Sequence, residues 1–421
     1  MCGVSPRSVC KLRITMTDVG ALVDVAVTAA ANGGHCVGRL DSGQVVFVRH
    51  ALPGERVRAR ISSIGKGGRF FNADTVEVLV ASPHRITPAC EWAGQCGGCD
   101  FQHADAQSQQ QMAMDVVAGL LIRLGGVTHI HATTTAEALR WVALPHDATG
   151  RASRTRTRYL VNADGVLSMR AHHSHDLIPV GLCPLGQPAA DEVTRAYRGK
   201  PGTEVEFVVD DDGDVITVVD GVADELVTRR VGARMWRLQP TGFWQVHPDA
   251  ATMLADVVRE AVQAQPGEHA LDLYSGAGLF AAELATAVTH MGRVDAVESS
   301  EESVNDGATA LADLEQVTFH HADVRRWLRE QRGTQADIIV ADPPRAGMGA
   351  EVMADMARMQ PRVMAYVSCD PATFARDTRA AGEHGYHLAS VAVLDMFPMT
   401  GHVELVGVFR PGSQDCSGCC G

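Results

Sequence analysis

Three side chains scattered over the last eighty residues have the types needed to put a methyl group on an unreactive ring carbon. Cys369 stands in VSCDPATFARD (367–377), directly after the apolar, β-leaning RVMAYV. A thiol at the tip of a buried strand, followed by Asp370 and Pro371, is placed for chemistry, although an inert buried cysteine is the plain alternative. Asp342, in DIIVADPPRAGMG (337–349), stands at the carboxyl end of another strand, where open α/β sheets bind ligands. Glu404, in FPMTGHVELVGVF, lies where a loop enters a final strand. Carbon 5 of uracil is a poor nucleophile. A thiolate added at C6 converts the ring to an enolate whose C5 can take a methyl group, and a base must then remove the C5 proton so that the thiol can leave. Cys369 is the candidate nucleophile and Glu404 the candidate base, with Asp342 beside them.

A methyl donor needs its own cradle. LDLYSGAGLF (271–280) follows a strand and opens a helix, with Asp272 ending the strand and Gly276 and Gly278 permitting close backbone approach. Glu298 closes the next strand, where a carboxylate can bind the two ribose hydroxyls of an adenosine ligand. The short D-x-x-x-G-x-G form favours S-adenosylmethionine over a nicotinamide; a tight turn with no ligand is the bland reading. In GFWQVHP (242–248), Phe243 and Trp244 read as packing and Gln245 as a contact to donor or base. Methylases of exocyclic amines usually carry an aromatic after the two prolines, and cytosine-C5 RNA methylases a cysteine in that loop. This chain has Arg345 and no cysteine there.

Cys90, Cys96 and Cys99 form C-x5-C-x2-C in CEWAGQCGGCDFQH, and GLCPL supplies Cys183 as a fourth thiol. Four cysteinates suit either zinc or an iron–sulfur cluster. The DDDGD stretch (210–214) lacks the ligand spacing of an EF-hand and reads as a hairpin turn. Two basic sets are candidates for RNA phosphate: Arg49, Arg56, Arg58, Arg60, Lys66 and Arg69 early in the chain, and Arg151, Arg154, Arg156, Arg158 and Arg170, with Tyr159, in the middle. Solvated strand faces are the alternative. The formal net charge of −13 argues against a general nucleic-acid binder, so local patches must carry any RNA contact.

The elements that position these residues fall into zones. Residues 17–80 alternate with period two between glycine turns, which predicts a small β-barrel of OB-like character. Residues 81–235 hold the cysteines, a polar helical piece over 103–130 and further strands. From 236 to 412 strand and helix alternate, which predicts an open parallel sheet with helices on both faces. Met16-Thr17-Asp18 reads as an alternative start, leaving residues 1–16 as a disordered extension; the tail 413–421, with Cys416, Cys419 and Cys420, reads as disordered and receives no role. The N-terminus lacks the apolar segment of a signal peptide, and no run reaches membrane-span length. The expectation is a cytoplasmic monomer, and in a reducing compartment eleven cysteines point to metal or catalysis before disulfides.

Together CEWAGQCGGCDFQH, DPPRAG, VSCDPATFARD and FPMTGHVE resemble the RNA 5-methyluridine methyltransferases of the iron–sulfur, TRAM-domain type, over about 17–412. The resemblance implies an α/β fold: a class I, Rossmann-like S-adenosylmethionine methyltransferase domain, an N-terminal OB-like TRAM barrel and a small α+β central domain. It puts a [4Fe–4S] cluster on Cys90, Cys96, Cys99 and Cys183. It puts donor contacts on Gln245, Tyr274, Leu279, Glu298, Asp323 and Asp342, around the Gly276 and Gly278 turn already read as part of the donor cradle; Leu279 is apolar where some members are polar. Cys369 matches the nucleophile and Glu404 the base. It implies the helical piece packs on the catalytic domain. Members act on large-subunit rRNA or the tRNA T-loop, and barrel plus cluster leans towards 23S rRNA. The competing readings are an S-adenosylmethionine enzyme acting on an amine or a protein, and a non-catalytic RNA-binding protein with a relic methyltransferase fold.

Overall fold

The computed structural model describes residues 18–144 and 151–412. The calls on residues 1–16 and on the cysteine-rich tail therefore lie outside the described residues. The chain divides into two compact units. One holds the described residues up to Pro83 apart from Ala30–Gly34; the other holds Ala30–Gly34 and the described residues from His84 onward.

The first unit is a closed five-stranded barrel of Leu22–Ala31, His35–Arg39, Val45–Arg49, Arg56–Ile64 and Phe70–Val80. The first strand closes the ring by antiparallel pairing with the fourth, and the third pairs parallel with the fifth. Period-two patterning decides what faces in. Along Arg56–Ile64, Val57, Ala59 and Ile61 are buried while Arg56 and Arg60 are exposed. Register shifts between the fourth and fifth strands bend them, as closure of so small a barrel requires.

The second unit holds a five-stranded antiparallel sheet in which Arg156–Val161 is central and pairs with Glu204–Val209. The DDDGD turn joins Glu204–Val209 to Val215–Val219 as a hairpin. Tyr159, Val161, Leu167, Val205 and Phe207 fill this core, with Cys183 packed among them. A second hairpin pairs Val227–Val231 with Arg234–Leu238.

The eight-stranded sheet runs, in spatial order, Val317–His321, Arg293–Glu298, His269–Leu273, Ile338–Ala341, Val363–Ser368, Glu404–Pro411, Tyr386–Leu394 and Leu139–Val142. The first five are parallel, and Glu404–Pro411 runs antiparallel to both its neighbours. The central strands are continuous apolar runs; all six residues of Val363–Ser368 are buried, because helices cover both faces. Ala250–Val262 and Leu279–Val288 pack one face, and Val324–Glu330, Gly349–Arg358 and Pro371–Glu383 the other. Helix Ala106–Leu120 joins that second face, with Val117 and Leu121 in one cluster with Phe374 and Ala375. Thus the sheet is mixed where the sequence suggested parallel strands alone, and its last strand, Leu139–Val142, comes from well before the alternating region.

Candidate active site

The candidate donor site lies at the carboxyl ends of His269–Leu273 and its two neighbours, where chain order reverses direction across the sheet. Strand and helix here are joined by a turn that the glycines make possible: Gly276 has φ 53° and Gly278 φ 80°. A Cβ on Gly278 would meet the Phe319 ring at 2.8 Å. Tyr274 also takes a left-handed conformation, φ 61°, and burial, reinforced by the Asp323 charge, pushes its hydroxyl up to about 12.

Asp272 is fully buried beneath the turn. Its Oδ2 accepts the Ala281 N–H at 2.7 Å, while Oδ1 and the nearby Ser275 hydroxyl have no hydrogen-bond partner within the protein. Orphaned buried polar atoms at the mouth of an α/β sheet point to a polar ligand that completes them. Burial, and secondarily the Asp342 and Glu298 charges, raise Asp272 well above the usual carboxylate range. Glu298 is half-buried; Oε2 accepts the Gly276 N–H at 3.1 Å, and Oε1 accepts the Ser299 and Ser300 N–H groups. Asp323 is exposed and caps Val324–Glu330 through the Arg326 N–H. Leu279 puts its side chain into the apolar core, so its backbone alone can address a ligand. Gln245 is half-buried beside Val246, whose carbonyl accepts the Thr155 N–H at 2.7 Å. Trp236, which the sequence did not single out, donates its indole N–H to the Ala277 carbonyl at 2.9 Å, and Trp244 packs against it with ring centroids 5.3 Å apart and planes tilted by 50°.

Cys369 follows the end of Val363–Ser368 and precedes a helix whose start is tightly made. Asp370 accepts the Ala372 and Thr373 N–H groups at 2.9 and 2.8 Å, and Pro371 occupies the first helical position. Strand end and cap together fix the thiol's backbone. Ser368 pairs with Leu405 at the end of the antiparallel ladder, so Cys369 and Glu404 are the next residues on the two strands, and the Glu404 charge acts on the Cys369 thiol. Glu404 is 4 % exposed. Burial, then the Asp342 charge, pushes its carboxyl well above the usual range, and the Arg345 guanidinium opposes this. Burial raises Asp342 to about 7. The Cys369 thiol is raised to about 11 by burial, then by Glu404, with Arg345 pulling the other way. Asp342 is tied to the donor strand by its N–H, which donates to the Leu273 carbonyl at 3.2 Å. The three expected residues therefore come together, and Arg345, noted in the sequence only as a departure from other families, belongs with them.

Cys90, Cys96, Cys99 and Cys183 line one small cavity with Trp92, Gln102 and Met169. The Gly98 N–H and the Gln102 amide point at the Cys96 and Cys99 sulfurs, and burial pushes Cys99 up to about 12. Among the described residues, no group of three or more His, Cys, Asp or Glu side chains stands in a geometry that could hold a metal ion. The four thiols match a cluster in number and kind only.

The basic sets are more occupied than the sequence suggested. Arg49 is buried and paired with Asp74, which leaves it little surface to offer RNA, and Arg58 is held between Asp24 and Glu77. Arg156 and Arg158 share Glu206, and Arg154 donates to the Gly98 carbonyl at 3.0 Å. Lys66 and Arg151 are exposed. Arg154, Arg156, Arg158 and Arg170 nevertheless line one groove with Phe397, Thr400 and His402.

Comparison with known proteins decides the family. Residues 205–411 match the family described as tRNA (uracil-5-)-methyltransferase, and residues 17–66 match the TRAM domain. An RNA methyltransferase of Streptomyces avermitilis is 36% identical, over 94% of this chain and 100% of its own length. The chain belongs to this family of RNA methyltransferases. A 23S rRNA (uracil(1939)-C(5))-methyltransferase, RlmD, of Acinetobacter baylyi is 31% identical over 87% of this chain and 89% of its own. The tRNA (uracil-54, C5)-methyltransferase of Pyrococcus abyssi, solved with S-adenosyl-L-homocysteine, shares the fold with a TM-score of 0.67 at 20% identity, over 91% of this chain and 99% of that one. The family enzymes are methyltransferases, so the relic, non-catalytic reading is set aside. Among the described residues no helix is long and apolar enough to cross a membrane.

Proposed function

We propose that this chain methylates C5 of a uridine in RNA, with S-adenosylmethionine as donor, through a transient bond between Cys369 and C6. The observation that carries this reading is that Cys369 and Glu404, the residues next to the last pair of their shared ladder, act on one another electrostatically together with Asp342 and Arg345. The thiol rests protonated and gives its proton to solvent as the ring arrives. The thiolate bonds C6, and the electron pair of the C5–C6 double bond moves through C4 onto its oxygen. C5 then attacks the donor's methyl carbon, whose bond to sulfur breaks. Glu404, which must first have lost its own proton, takes the proton from C5; the double bond re-forms, the C6–sulfur bond breaks, and the thiolate is free. Asp342 and Arg345 set the charge around both groups. Orphaned Asp272 Oδ1 and the Ser275 hydroxyl support a donor held at the glycine turn.

RNA carrying 5-fluorouridine tests the sequence of steps. A fluorine at C5 cannot leave as a proton, so incubation with S-adenosylmethionine should give a protein–RNA complex that survives denaturing gels. Cys369→Ala should give none and lose turnover entirely. Trapping by Cys369→Ala at the wild-type level would refute the assignment.

For substrate we favour 23S rRNA, supported by the name of the Acinetobacter relative; tRNA is the second reading, supported by the family's description and by the Pyrococcus neighbour's name. Mapping 5-methyluridine in both RNAs from cells lacking the protein separates them. The groove joining Arg154, Arg156, Arg158 and Arg170 to the loop before Glu404 supports RNA entering from the central sheet. We further propose a [4Fe–4S] cluster on Cys90, Cys96, Cys99 and Cys183, supported by the shared cavity. Its part would be to staple the two segments, since methylation as written moves no electrons.

A further inference from the structure

The segment Phe397–Val403 leads into Glu404 and has no secondary structure of its own. A residue that must meet one proton of one ring needs its backbone fixed, so this segment's anchors matter. They come from two places about three hundred residues earlier. The Gly401 N–H donates to the Asp100 carboxylate at 2.9 Å. The Met399 carbonyl accepts two N–H groups, those of Asp100 and Phe101, at 2.8 and 2.9 Å. The Met399 N–H donates to Gln109 Oε1 at 3.0 Å. Gln109 is in turn held by its amide, which donates to the Ala104 carbonyl at 2.9 Å, on a helix capped by Asp105. Both main-chain groups of Met399 and the N–H of Gly401 are thus satisfied by the chain just after the last clustered cysteine and by the helix that follows.

The geometry points to Asp100 and Gln109 as positioning residues for Glu404: they hold the 399–401 backbone so that the carboxylate reaches the C5 proton. This rests on Glu404 being the base. It also gives the cysteine loop a part in the reaction without electron transfer, because Asp100 is the residue after Cys99.

Such residues should affect one step. Losing the anchor leaves addition and methyl transfer intact and slows proton removal, so the methylated covalent adduct should build up on ordinary uridine. The experiment uses the full chain, total RNA from cells lacking the protein, and S-adenosylmethionine labelled in its methyl group. Turnover and label in denaturation-resistant protein–RNA complex are read together. Glu404→Gln serves as the reference for a missing base. Asp100→Ala and Gln109→Leu should each lose about ten- to a hundredfold in kcat, as misplacement by an ångström does, with donor KM unchanged and labelled adduct raised. Asp100→Asn should recover most of the loss, because its amide oxygen can still accept the Gly401 N–H. Gln109 lies outside the cysteine loop, so Gln109→Leu gives the answer even where Asp100→Ala disturbs that loop. Wild-type turnover in Gln109→Leu, or lost turnover with no added adduct, overturns the inference. If Glu404→Gln itself builds no adduct, the base assignment falls, and this inference with it.

Discussion

Cys369, Glu404 and Asp342 share one property: burial opposes the charged form of each, the form that the proposed reaction asks of Cys369 and Glu404. The thiol sits at about 11, Asp342 at about 7, and Glu404 well above its usual range. The same burial that prevents side reactions with water therefore stores a cost that the bound, positively charged donor can relieve. This predicts a pH signature. The ordinary value of Asp342 is 3.8, and its folded value is higher. Its contribution to stability is fully present below about pH 4 and is lost as the pH rises through about 7, because the unfolded chain gives up the proton more readily. Asp342→Asn carries no proton to lose. Without donor, the melting temperature of the wild type should therefore fall relative to that of Asp342→Asn between about pH 4 and pH 7. A gap that stays constant over that range would show that Asp342 is not held protonated by the fold.

At the scale of elements, the site depends on how strands and turns end. VSCDP reads in sequence as strand, reactive thiol, cap and helix start, and the structure keeps that order, because each of those signals is local. The glycine turn and the glutamate at the end of the next strand were legible for the same reason. What was not legible was long-range pairing. Arg156 and Arg158 face Glu206 and Glu204 only because of the register between their strands, and Asp100 meets Gly401 across three hundred residues. The cysteines lie between these cases: local spacing brings three together, and the sheet core brings Cys183 to them. If they hold a cluster, it closes a long segment. Cys183→Ser should then abolish visible absorbance in anaerobically purified protein and lower the melting temperature by about 5 °C. A colourless, zinc-loaded wild type would rule the cluster out.

Over the whole chain, the alternation of strand and helix foretold a sheet but not who completes it. Leu139–Val142 is four residues of LRWV, too short for periodicity to mark, and the sequence places it inside the central zone 81–235. It nonetheless lies alongside Tyr386–Leu394, parallel, as the outermost member of the catalytic sheet. Helix Ala106–Leu120 packs beside it on the same core. A fragment cut to begin at 236, the boundary that composition suggests, would lack both. Val391–Leu394, four buried residues at the end of Tyr386–Leu394, would then offer an unpaired edge to any neighbouring copy, and the fragment should clump or come out insoluble. One cut to begin at 84 should stay dispersed, as light scattering can report. The methyl-transferring half thus borrows its last ribbon from the half that precedes it, and neither can be inherited, swapped or engineered as a free-standing cassette.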